Sequence, residues 1–142
     1  MNRTASIVLF LIAAALTAFL AVQSAHWLPS DPAAWDRFEG SLGACVGLLG
    51  GGWGAAVGIL ASRGRARRLV MVWGLLLWAA GVGMLFGATA HIAAGNPRYV
   101  SQPWLQTGAV LSLVFGLMLP VAGRHYRAAE MRRLHARDIS ST

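Results

Sequence analysis

The chain has no lysine. All twelve basic residues are arginines, and only five acidic residues stand against them, for a formal charge of +7. Cys45 is the one cysteine, which excludes an intrachain disulfide, a CxxC redox pair and a cysteine zinc cluster. It reads as a small packing residue. Charge itself is scarce, at 12% of residues against the usual ~25%. None occurs between Arg3 and Asp31, Glu39 and Arg63, Arg68 and Arg98, or Arg98 and Arg124. Such gaps leave no place for a separate soluble domain.

What fills the gaps is apolar. Four runs, at residues 6–25, 42–61, 69–90 and 104–122, have the ~20-residue length that a ~30 Å hydrocarbon layer requires. The expected fold is all-α: a polytopic membrane protein of four transmembrane helices in a single domain, ending in a basic tail at 123–142. The first run, preceded by Arg3 and ending near the small residues Ser24-Ala25, also has the outline of a secretory signal peptide. Gln23 stands where cleavage wants a small residue, and the apolar core is long for a leader, so the expectation is a retained span.

The arginines set orientation. In an alternating topology Arg3, Arg63, Arg65, Arg67, Arg68, Arg124, Arg127, Arg132, Arg133 and Arg137 fall on one side, and Arg37 and Arg98 on the other. Ten against two is a positive-inside signal, placing both termini in the cytoplasm and the protein in a bacterial inner membrane. Abundant Ala and Gly without Lys agrees with a GC-rich bacterial source. The loop and tail arginines, Arg63, Arg65, Arg67, Arg68, Arg124, Arg127, Arg132 and Arg133, are expected against anionic lipid at the inner surface. That distribution excludes a nucleic-acid partner.

Glycine is concentrated. Gly43, Gly47, Gly50, Gly51, Gly54 and Gly58 share one narrow helical face at about 100° per residue, while Val46, Leu49, Trp53, Val57 and Leu60 line the next. Each Gly in a helix interior loses about 1 kcal/mol relative to Ala, so close approach of another helix is the expected compensation. Smaller stripes recur in the third run (Ala80, Gly83, Gly87, Ala90, Ala94) and the fourth (Gly108, Ser112, Gly116). Gly52 points away from the ladder.

The outer connections have readable signals. Ser30 or Asp31 can cap a helix that Pro32 opens, and Trp35, Phe38 and Leu42 then recur on one side, predicting a short interfacial helix on the outer surface. Asn96-Pro97 predicts a turn, Trp27, Trp35, Tyr99 and Trp104 an outer aromatic belt, and Pro120 a kink or break. The tail is helix-compatible, with Glu130 spaced to pair with Arg127 and Arg133. The stretch Gly95-Asn96-Pro97 through Val100, Pro103 and Gly108, followed by Arg124–Arg132, resembles a group of small bacterial four-span membrane proteins. They carry a Gly-Gln-Pro turn, a Pro-opened last helix and a basic tail; here Asn96 replaces the Gln. The resemblance covers the C-terminal third and implies topology, for the group has no assigned activity.

Candidate chemistry is thin. No span carries Asp, Glu or Arg, whereas ion-driven transporters place ionisable groups within the bundle. His26 and His91, at the outer ends of spans one and three, could face each other and hold a metal or haem; the plainer reading is interfacial hydrogen bonding. Asp31, Asp36 and Glu39 crowd the outer face, as surface helices often do, without a nucleophile or a His-Asp pair at recognisable spacing. Trp53 and Trp78 read as packing or lipid-facing bulk. The sequence requires no cofactor. It points to a non-catalytic accessory or assembly subunit that packs against other membrane subunits or itself; a small channel or a redox subunit are the alternatives.

Overall fold

The computed structural model describes residues 3–28, 30–62 and 66–140, with the backbone alone for Arg3, Ala61, Ser62 and 133–140. It is an all-helical bundle of α1 (Arg3–Trp27), α2 (Pro32–Ser62), α3 (Arg67–Ala93) and α4 (Arg98–Ser140). All four are long and apolar enough to cross a membrane. The most extensive seams run α1–α3, α3–α4 and α4–α2, with a smaller α2–α3 contact. The start of α1, the start of α3 and the second half of α4 therefore come together at one end of the bundle, where Ser6, Arg67 and Arg127 line a common cleft. The opposite end carries the connections after α1 and α3.

Two elements are longer than the sequence suggested. The apolar stripe of Trp35, Phe38 and Leu42 continues in register into Val46, Trp53, Val57 and Leu60, all packed on the core. With no proline to break it, α2 runs unbroken for 31 residues, and no separate interfacial helix forms. Its first turn is capped as expected, by Asp31: Oδ1 accepts the Ala33 N–H at 3.1 Å. Likewise α4 continues for 43 residues through Pro103 and Pro120, about 64 Å at 1.5 Å per residue. Pro120 withholds one helical N–H without ending the helix, because the chain on both sides keeps packing partners in Phe115, Ala122 and Tyr126.

The turn between α3 and α4 follows from its residues. Gly95 takes φ 73°, the left-handed conformation glycine adopts without a Cβ penalty. The Asn96 N–H then reaches the His91 carbonyl, and the Gly95 N–H reaches Ile92, the paired bonds of a Schellman motif. Pro97 follows, and α4 opens at Arg98.

The expected aromatic belt is redistributed. Trp27 is exposed, but Trp35 and Trp104 are 2% and 6% exposed. Trp35 meets Phe38 edge-on at 5.8 Å between centroids and Tyr99 at 6.5 Å, and Phe38 meets Trp104 at 5.5 Å. Rings that can bury against each other gain more contact than rings left at an interface. Cys45, expected to pack, is exposed on α2.

Candidate functional site

Three places could carry function: the glycine faces, the polar cluster at the loop end, and the cleft at the arginine end.

Glycine divides the helices. On α3 every glycine is occupied. A Cβ on Gly83 would run into the Ala14 carbonyl oxygen and lie 2.8 Å from Thr17 Cβ, and one on Gly87 would collide with Ala21 Cβ. Gly81 and Gly108 face each other: a Cβ on Gly81 would sit 2.7 Å from Leu111 Cβ and 2.8 Å from the Ser112 nitrogen, one on Gly108 2.9 Å from the Gly81 oxygen. This is backbone-on-backbone packing, the association mode available where lipid supplies no hydrophobic drive. It presses the Ser112 hydroxyl into the α3–α4 seam, buried without a hydrogen-bond partner. Gly116 faces Trp78, whose Nε1 a Cβ there would meet at 3.4 Å.

On α2 the inward face is not the one the glycines suggested. Gly43, Gly47, Gly51, Gly54 and Gly58 have nothing within 4 Å of a Cβ position; of the ladder, only Gly50 touches the chain, 3.7 Å from Phe115. Gly52, expected to point away, faces Trp73, which a Cβ there would meet at 3.4 Å. The bulky face turns inward instead. Trp53, 5% exposed, inserts over Gly74, whose Cβ would stand 2.8 Å from its Nε1, and donates to the Val70 carbonyl at 2.9 Å. Phe115 meets its ring edge-on at 5.0 Å. A tryptophan in a glycine hole makes far more van der Waals contact than a glycine stripe could, and this decides the rotation of α2. Sequence reasoning missed Gly74 and Gly81 because neither lies on the 3-4 spaced stripe of α3; a mid-span Trp with a Gly on a neighbouring helix is the signal available for Gly74.

The loop end holds a continuous hydrogen-bond network. Trp104 Nε1 donates to Ser24 Oγ at 3.1 Å, and Ser24 Oγ donates to the Ala21 carbonyl at 2.6 Å. His91 Nε2 lies 2.8 Å from the same carbonyl, so Nε2 carries the proton. Nδ1 accepts from Asn96 Nδ2 at 3.0 Å. The Schellman turn thus delivers Asn96 onto the histidine, and α1, α3 and α4 are tied together. His26 and His91 do line one cavity at the loop end, of about 380 Å³. Yet His91 is 2% exposed with both nitrogens engaged, leaving none for a metal. In this arrangement His91 is a structural histidine and His26 an exposed neighbour. Among the described residues, no three His, Cys, Asp or Glu side chains come together.

The arginine end holds a cleft of about 760 Å³, within the usual range for small-molecule sites. Arg67, Arg68 and Arg127 line it above Met71, Leu75 and Leu119. Glu130 pairs with Arg67 at 3.4 Å, joining α3 to α4; among the described residues it makes no pair with Arg127 on its own helix. Both partners are more than half exposed, so the pair contributes little. Arg124 and Arg132 are exposed on α4; Arg63, Arg65 and the side chain of Arg133 lie outside the described residues. Comparison with protein-family models, with curated proteins and with solved structures finds no match to this chain, so its functional reading stands on these three features.

Proposed function

We propose that the chain is a non-catalytic protein of a bacterial inner membrane, an accessory or assembly subunit that receives a partner's transmembrane helix on the glycine face of α2. One observation carries the reading: five of the six ladder glycines of α2 are open, with nothing within 4 Å of their Cβ positions, while every glycine of α3 is in tight contact. An open glycine stripe in hydrocarbon has no benefit of its own, since each Gly weakens the helix and lipid tails pack as well on Leu. A second helix backbone against the stripe would recover that loss through close van der Waals packing. The filling of the chain's interior by Trp53, Leu77, Leu111 and Phe115 favours docking over a pore through this chain. The ten-to-two arginine partition favours both termini in the cytoplasm, with lipid against the loop and tail arginines and no nucleic acid among the partners.

Purification from the native membrane in mild detergent tests the docking. Wild type should co-migrate with another integral membrane protein or as more than one copy, whereas Gly47→Leu/Gly54→Leu should run as a monomer with an unchanged unfolding midpoint. A lone wild-type monomer of 15.0 kDa would end the reading. Reporter fusions after Thr142 and within Ala93–Gln102 should report opposite compartments; identical compartments would overturn the orientation.

A further inference from the structure

The arginine end carries two clefts, not one. The first, between α1, α3 and α4, has Arg67, Arg68 and Arg127 on its rim and apolar walls below. The second, about 630 Å³, lies on α3 and is walled by Leu69, Trp73 and Leu76. Arg68 and Val72 line both. Two apolar grooves therefore flank a single ridge of α3, and an arginine stands where they meet. Arg68 and Arg127 have no carboxylate partner among the described residues, while Arg67 shares its charge with Glu130.

We propose that the ridge binds one anionic diacyl phospholipid from the leaflet on the arginine side, its phosphate held by Arg68 and Arg127 and one acyl chain in each groove. The chemistry selects this occupant in two steps. Unpaired guanidinium groups at a membrane interface favour a phosphate with net negative charge. A shared rim with two apolar grooves matches a headgroup carrying two chains, whereas a soluble phosphate would leave both grooves without apolar contact. Bound there, the lipid would bridge α1, α3 and α4 at the end of the bundle opposite the His91 network. The inference is independent of what docks on α2.

The test uses the full chain in detergent with equimolar phosphatidylglycerol and phosphatidylcholine of identical acyl chains, read as bound lipid by native mass spectrometry. Wild type should favour phosphatidylglycerol, and Arg68→Gln and Arg127→Gln should each reduce that preference about fivefold. Arg37→Gln/Arg98→Gln removes the same charge at the opposite end and should leave the preference intact. Gly123→Leu, whose Cβ would meet only Met71 Cε at 4.0 Å, should block chain entry and reduce binding of both lipids without lowering the unfolding midpoint of the delipidated protein. Equal retention of the two lipids by wild type would overturn the proposal. So would an undiminished preference in Arg68→Gln/Arg127→Gln, or an equal loss in the opposite-end control. Displacement of phosphatidylglycerol by glycerol phosphate at similar concentration would show a headgroup site for a soluble anion instead, and would overturn it too.

Discussion

Between Gly43 and Gly58, α2 carries seven glycines, and between Gly74 and Gly87, α3 carries four. On α3 all four meet neighbouring atoms at distances a Cβ could not tolerate, while on α2 five have no neighbour at all. The most apolar windows of the two helices differ accordingly, 39% buried for α3 and 6% for α2. The difference teaches that glycine content marks a capacity for close approach and does not say where the approach occurs. On α3 that capacity is satisfied within the chain, by Ala14 and Ala18 of α1, by Ser112 of α4 and by Trp53 of α2. On α2 the same capacity is displaced outward, because Trp53 claims the inward direction.

Substitutions can break this comparison or sharpen it. The largest effect is expected at Gly83→Leu. The obstacle there is the α1 backbone at Ala14 and Ala18, which can yield only by separating the helices. Overpacking usually costs about 1–3 kcal/mol and occasionally more, and here no side-chain rotation relieves it. The folded bundle should not be recovered; a normal detergent unfolding midpoint would contradict the α1–α3 packing. Next comes Trp53→Ala, which empties the Gly74 hole and forfeits the bond to Val70. Loss of a buried aromatic costs about 3–5 kcal/mol, and α2 should detach first. Proteolysis or hydrogen exchange confined to α2, with α3 and α4 still protected, would bear this out; uniform loss would mean the four helices unfold as one unit.

A smaller loss is expected at His91→Ala, about 1–3 kcal/mol, because the Asn96 amide loses its acceptor and the Ala21 carbonyl loses one side-chain donor. Thermal unfolding of His91→Ala beside His26→Ala separates the two histidines: only the first should destabilise, and a matching loss at the exposed His26 would contradict the network. The smallest effect is assigned to Gly54→Leu. With open space around it, this change should shift monomer stability by no more than about 0.5 kcal/mol. The same Gly-to-Leu exchange thus spans the whole scale, and a large loss in the isolated Gly54→Leu monomer would place the glycine face of α2 inside the chain after all.

Much of the architecture was legible in the residues. Charge-free runs marked the four helices, since a span tolerates few ionisable groups. Asp31-Pro32 marked the start of α2, and Gly95-Asn96-Pro97 the end of α3, because caps and left-handed turns are local chemistry that needs no tertiary partner. The stripes Gly83/Gly87 and Gly108/Ser112/Gly116 were read as packing faces and are. The extent of α4 differs from the expectation because Pro120 is a local disincentive that continuous packing on both sides outweighs, and α2 is longer because the stripe of Trp35, Phe38 and Leu42 continues into the span.

The candidate sites were legible only in outline. His26 and His91 were correctly brought to one end, but the roles of the His91 nitrogens depended on Asn96 and Ala21, the latter 70 residues away. Glu130 had three arginines within reach by spacing or by folding, and only the juxtaposition of α3 and α4 selected Arg67. The arginine cluster was visible as charge; its placement beside the cleft that α1, α3 and α4 form together was not, for that cleft is a property of neighbouring helices.

Composition and periodicity by themselves determined that this chain is helical, that it has four stretches suited to a membrane, where its turns lie and how unevenly its arginines are distributed. Those follow from the insolubility of charge in hydrocarbon and from short-range backbone geometry. The tertiary structure alone decided which face of each helix turns inward. That choice is a competition among contacts made by residues far apart in the chain, and in α2 one tryptophan fitting one glycine of α3 outweighed a ladder of six glycines.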